Sequence, residues 1–169
     1  MKEKTKYWVI ADTHFGHDKM LTLAGRPDNF EGKIINSCIR LIKETDVLIH
    51  LGDFCIGRDK FWNEWFTRNI KCKKWLIRGN HDRQTDTWYL NHGWDFVGDS
   101  VTLNRYGHTI LLTHKPVDSL DAEFGINVHG HLHGDDHRHD DCDFDPYWNK
   151  LIAMEHEYRP FDLRKVVGR

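Results

Sequence analysis

Seven side chains that bind hard or borderline metal ions stand just after short apolar runs. They are Asp12 and His14 in ADTH, Asp53 in LGDF, Asn80 in RGNHD, His114 in LLTHK, and His131 and His133 in GHLH. One such motif means little, because a lone Asp-x-His is most often a capping aspartate beside a surface histidine. Five in step with five strand-like runs form the converging set that a reaction centre requires. Imidazole, carboxylate and amide-oxygen donors suit manganese, and also iron, zinc or nickel, and they exclude a soft thiolate site. We expect two divalent ions, manganese first. Asp53 carries two oxygens and follows a central run, so it is able to bridge both ions. Two aspartates against two dications leave about two net positive charges before water binds. Such a centre attracts phosphate, lowers the pKa of bound water to give a hydroxide nucleophile, and clamps the entering and leaving oxygens of an in-line displacement. Phosphoester hydrolysis is the chemistry this pattern favours.

The elements that must position these groups are legible in the hydropathy. Tyr7–Ala11, Val47–Leu51 and Trp75–Ile77 are continuous apolar runs, which predicts strands buried on both faces. Between them, Ile34, Ile35, Cys38, Ile39, Leu41 and Ile42, then Phe61, Trp62, Trp65, Phe66 and Ile70, recur at helical spacing. This order predicts βαβ crossovers and a parallel sheet. Beyond residue 93, Phe96-Val97, Val101–Leu103 and Thr109–Thr113 predict strands, the last two joined as a hairpin through Arg105-Tyr106-Gly107. Ile126–Val128 and Leu151–Met154 predict two more. The fold class expected is an α/β sandwich with a partly mixed sheet. In an open α/β sheet the carboxyl ends of strands build the ligand crevice, and the motifs all fall there. Glycines before Asp53, Asn80 and His131 predict sharp turns and close backbone approach.

Composition bounds the function. The chain has 169 residues, 39% hydrophobic and 30% charged, which fits a single soluble domain over 1–169. A formal net charge of −2 disfavours a basic glove for long nucleic acid. Cys38, Cys55, Cys72 and Cys142 form no C-x-x-C pair, so reduced thiols are expected. The run Tyr7–Ala11 is too short for a signal peptide or a membrane span, which leads us to expect a cytoplasmic protein. The stretch GDDHRHDDCDFDP (134–146) is expected to be a solvated acidic loop rather than a third cation site. Trp62 and Trp65 are expected to be core residues.

Taken in order, the blocks D-x-H, G-D, G-N-H-[DE], H and G-H-x-H between Asp12 and His133 resemble the calcineurin-like metallophosphoesterases. The ending YWNKLIAMEHEYRPFDLRKV is similar to that of small bacterial and phage-type members. The resemblance implies a metallophosphoesterase-like α/β sandwich with mixed central β-sheets flanked by helices. It implies that Asp12, His14 and His133 hold one metal and Asn80, His114 and His131 the other, with Asp53 bridging. His81 would be the catalytic histidine, contacting phosphate and protonating the leaving oxygen, with Asp82 orienting its ring. Residue geometry agrees on one point: adjacent side chains point in different directions, so Asn80 and His81 do not readily share an ion. Ile56 stands where iron-tyrosinate phosphatases carry tyrosine, so a purple Fe(III) centre is not expected. The segment GDFCIG also lacks the second acidic residue of many relatives.

Further residues flank the blocks. His17 and Arg83 are expected to reach the substrate phosphate, whereas Arg78 is as readily a structural ion pair and Lys115 resembles it. The substrate expected is a small or nucleotide-type phosphoester, with diesters favoured. A phosphomonoesterase, a manganese-dependent nuclease and a non-catalytic binding scaffold on the same fold are the alternatives. The scaffold is disfavoured because His81 and every ligand position are present.

Overall fold

Each of the first three apolar runs pairs with the next, in parallel. In the computed structural model, which describes residues 5–118, 125–134, 145 and 147–168, β1 (Tyr7–Ile10) lies beside β2 (Val47–His50). β2 lies beside β3 (Lys73–Ile77), and β3 beside β4 (Phe96–Gly98). A short antiparallel strand, β9 (Phe161–Asp162), closes the other edge, giving the order β4-β3-β2-β1-β9. All four residues of β2 are buried, as a continuous apolar run at the centre of a sheet requires.

The second sheet holds β5 (Ser100–Arg105), β6 (His108–Thr113), β7 (Ile126–His129) and β8 (Asn149–Leu151), in that order. β5 and β6 are the expected hairpin. Tyr106 and Gly107 both have positive φ (56° and 86°), the signature of a two-residue turn whose twist matches its strands. The next two pairings, β6 with β7 and β7 with β8, are parallel. The sheet is therefore mixed, and the expected α/β sandwich forms. One apolar core joins the two sheets, with Val9, Ile10, Leu48, Ile49 and Leu76 from the first and Ile110, Leu112 and Val128 from the second.

Two long helices make the crossovers. Helix α2 (Phe30–Leu41) buries Phe30, Ile34 and Cys38, one residue per turn, and α3 (Asp59–Asn69) buries Asn63 and Phe66. Trp62 and Trp65 are half-buried against the core, as expected. Four further helices of four to six residues are α1 (Met20–Leu23), α4 (Asp86–Asn91), α5 (Met154–Glu157) and α6 (Leu163–Val167). They carry too few turns to show a periodicity.

One expectation is corrected here. The run Leu151–Met154 is not a strand: β8 ends at Leu151, and Met154 opens α5. A four-residue apolar run marks burial without specifying strand or helix. Cys38 and Cys55 are buried and Cys72 half-buried, and all three are free thiols. The stretch 134–146 lies outside the described residues except for Gly134 and Asp145. Among the described residues no helix is long and apolar enough to cross a membrane.

Candidate metal centre

Beyond the carboxyl ends of β1 and β2 the chains go on pairing. The Asp12 N–H donates to the Gly52 carbonyl (2.9 Å), His14 N–H to Asp53 O (3.0 Å) and Phe15 N–H to Phe54 O (3.0 Å). Asp12, His14, Asp53 and His131 all sit in the left-handed region, with φ of 50°, 47°, 56° and 70°. Four non-glycine residues in that strained region, all bearing metal-type donors, mark a site that the surrounding structure over-determines.

The glycines act as expected. A Cβ on Gly79 would run into the Asp53 carboxylate, and one on Gly130 into that of Asp12. One on Gly52 would strike the Gly79 backbone and the His114 ring.

Two donor groups result. Asp12, His14 and His133 each offer one ligand atom within 4.8 Å of the others, and so do Asp53, His114 and His131. Asp53 joins them, its Oδ2 lying 3.8 Å from His14 Nε2 and 3.6 Å from His114 Nε2. Asn80 stands beside the second group, with Oδ1 3.1 Å from His114 Nε2. His131 Nδ1 is also 3.1 Å from that nitrogen.

Proton accounting shows what these atoms lack. His114 Nδ1 faces the Leu51 carbonyl at 2.8 Å, and a carbonyl only accepts, so Nδ1 carries the hydrogen. Burial pushes the ring's pKa down, which leaves Nε2 a bare lone pair facing the Asn80 oxygen, another lone-pair atom. A divalent cation held by both atoms would account for the contact. Asp12 Oδ1 is buried without a hydrogen-bond partner, while Oδ2 accepts from the His131 N–H at 2.8 Å. Burial, with the Asp53 carboxylate adding to it, pushes Asp12 well above the usual carboxylate range. Burial likewise pushes His14 far down, aided by Arg26 and neighbouring imidazoles. Buried neutral imidazoles beside a carboxyl oxygen that has no hydrogen-bond partner fit divalent cations, which would supply the missing charge.

Residues that the motifs did not reveal hold this arrangement. Arg26 is 3% exposed and donates to the backbone carbonyls of Asp12 (2.7 Å) and Thr13 (3.0 Å). It also pairs with Glu155 at 2.6 Å. Glu155 Oε1 in turn accepts from His133 Nδ1 at 2.9 Å, so the imidazole's Nε2 is left as the lone-pair atom. Burial raises the Glu155 carboxyl, but the His133 hydrogen bond and the Arg26 guanidinium overcome it and hold it at about 2. Arg26 and Glu155 are 129 residues apart, so no local spacing could have linked them. His50, at the end of β2, is fully buried: Nδ1 accepts from the Gly52 N–H, so Nε2 donates to Thr13 Oγ1 at 2.9 Å. Burial, then His114, holds it at about 3, a neutral strut between the two loops. Trp62 stacks on Phe15, with ring centroids 5.1 Å apart, and so braces the first loop with α3.

The expected substrate residues divide. His81 is partly open at the cleft mouth, its Nε2 3.9 Å from Asp53 Oδ2, and His17 lines the same cleft. Asp82 does not orient the His81 ring. Its carboxylate accepts backbone N–H groups from Asp53 (2.7 Å), Gly79 (2.8 Å) and Phe54 (3.1 Å), so it ties the turn that carries Asp53 to the turn that carries Asn80. Arg83 is exposed and is not among the residues that line the cleft. Arg78 is the structural ion pair, with Asp99 at 2.7 Å and Asp86 at 3.3 Å, and Lys115 is exposed.

Residues 6–144 match the calcineurin-like phosphoesterase superfamily domain. The chain belongs to that superfamily. Superfamily members depend on metal ions, which accords with the two donor groups. A Methanocaldococcus jannaschii protein, the uncharacterized MJ1445, is 25% identical over 172 residues, covering 96% of this chain and 89% of its own length. The crystal structure of AQ665 from Aquifex aeolicus, of unknown function, is similar with a TM-score of 0.77 and 25% identity. That likeness covers 96% of this chain and 98% of the other. The nuclease MPE of Pseudomonas putida is similar with a TM-score of 0.52 and 25% identity, over 75% of this chain and 61% of that one. An archaeal phosphodiesterase shares the fold, with a TM-score of 0.51 and 18% identity over 76% of this chain and 74% of its own.

Proposed function

We propose that this superfamily member hydrolyses small phosphodiesters at a centre of two divalent ions, manganese first. Asp12, His14 and His133 would hold one ion and Asn80, His114 and His131 the other, with Asp53 shared between them. When bound, the ions supply the charge that activates water and offsets the negative phosphate oxygens. The chain's own residues do the rest. Glu155 and Arg26 fix the His133 ring, and His50 with Thr13 fixes the loops that carry Asp12 and Asp53. His81 holds an imidazole beside the bridging carboxylate, where it can meet the phosphate and pass a proton to the leaving oxygen.

The observation that carries this reading is the pair of donor groups joined through Asp53 Oδ2, with the His81 ring at the open mouth. Preference for diesters is supported by charge. No Lys or Arg among the described residues lines the cleft. A monoester dianion, with more charge to neutralise, is more often met by such cations. Likeness to a protein named as a nuclease supports the same bond type, and the net charge of −2 favours a small or nucleotide-type substrate over long nucleic acid.

Manganese-loaded protein should turn over bis(p-nitrophenyl) phosphate with kcat/KM about tenfold above that for p-nitrophenyl phosphate. Excess chelator should abolish both. A monoester preference would overturn the diester reading. Glu155→Gln is expected to lower metal affinity by about 10–100-fold, because the carboxylate that orients the His133 imidazole and raises its basicity is lost. Titrating manganese into apo protein, followed by calorimetry, checks it.

A further inference from the structure

One side of the cleft is not polar. Met20, Leu23 and Ala24, all in or next to α1, line it together with Ile56. Leu23 is 72% exposed, so its packing within the chain does not account for it. The wall is held rigidly to the metal-bearing loop: the Met20 N–H donates to His17 O (2.9 Å), and Met20 O accepts from Arg26 N–H (3.2 Å). Arg26 is itself bound to the carbonyls of Asp12 and Thr13. A preformed apolar face beside ionic chemistry is the usual make-up of a small-molecule site, and the cleft volume of about 490 Å³ falls within the range of ~300–1,000 Å³ for such sites. With no Lys or Arg lining it among the described residues, the cleft is poorly suited to a polyanion. Met20 is 3% exposed and belongs to the core, so the apolar surface open to a substrate group is that of Leu23, Ala24 and Ile56.

We propose that this wall is a recognition subsite for a ring-bearing ester group of the substrate, an aryl group or nucleobase, and that Leu23 and Ile56 set the preference for it. The proposal rests on the diesterase reading. Phosphate lies at the metal-type donors and His81, while the ring lies along α1 against Leu23, Ala24 and Ile56.

Two esters test it: phenyl p-nitrophenyl phosphate and methyl p-nitrophenyl phosphate, which release the same leaving group. Manganese-loaded wild type should favour the phenyl ester by about tenfold in kcat/KM, mainly through KM. Leu23→Ser and Ile56→Ser should each reduce that ratio to about twofold. Leu23 is mostly exposed, so its variant tests recognition rather than folding. A binding readout is independent of turnover: manganese-loaded His81→Ala should bind diphenyl phosphate about fivefold tighter than dimethyl phosphate by calorimetry, and adding Leu23→Ser should remove the difference. Equal turnover of the two esters, or an unchanged ratio in both serine variants, overturns the subsite alone. Turnover of neither diester overturns the diesterase reading, and the subsite with it.

Discussion

His81→Ala lowers kcat on a diester by about a hundred- to ten-thousand-fold, the range for loss of a general acid, while bound metal stays the same. The imidazole is in neither donor group, although its Nε2 lies 3.9 Å from Asp53 Oδ2, and its ring makes no hydrogen bond among the described residues. What ties residue 81 into the site is its backbone N–H, which donates to Asp53 Oδ1 at 2.8 Å and survives the substitution. Folding should be nearly untouched, since the side chain is 38% exposed. Metal content by elemental analysis, measured with kcat, separates the alternatives. Metal lost in step with activity would make His81 a ligand and sink the assignment.

Asp82→Ala has the opposite profile. Its carboxylate is 7% exposed and is the acceptor for three backbone donors, those of Asp53, Phe54 and Gly79. Removing it strands those donors in a tight, buried turn, at a cost of about 3–5 kcal/mol. For a domain of this size that shifts Tm by roughly 6–20 °C. A double-mutant cycle with His81→Ala decides what Asp82 does. If it holds the turns, its stability loss is the same in both backgrounds. If it only orients the imidazole, Asp82→Ala leaves Tm unchanged and has no effect on kcat once His81 is gone.

Much of the site is legible along the chain itself, because its ligands obey a local rule. Asp12, Asp53, Asn80, His114 and His131 each lie within three residues of the carboxyl end of a strand. The apolar runs Tyr7–Ala11 and Trp75–Ile77 mark two of those ends, while β7 is buried throughout and still holds Asn127 and His129. Gly52, Gly79 and Gly130 are legible for the same reason: a ligand that turns back over a strand end needs a neighbour without a Cβ. Adjacency in sequence is a poorer guide. Arg83 follows the Asn-His-Asp turn directly and yet does not line the cleft, while Asp82 accepts from backbone amides rather than from its neighbour's ring.

The sequence by itself determined the strand-helix-strand order, the seven metal-type donors and the family they resemble, because those depend on periodicity and spacing along one stretch of chain. Only the tertiary structure decided that Arg26 reaches Glu155, that Asp82 serves three amides, and that Met20, Leu23 and Ile56 form one apolar wall. The reason is physical. A buried charge or amide must find a partner wherever the fold brings one near, and that closeness in space leaves no trace in local sequence.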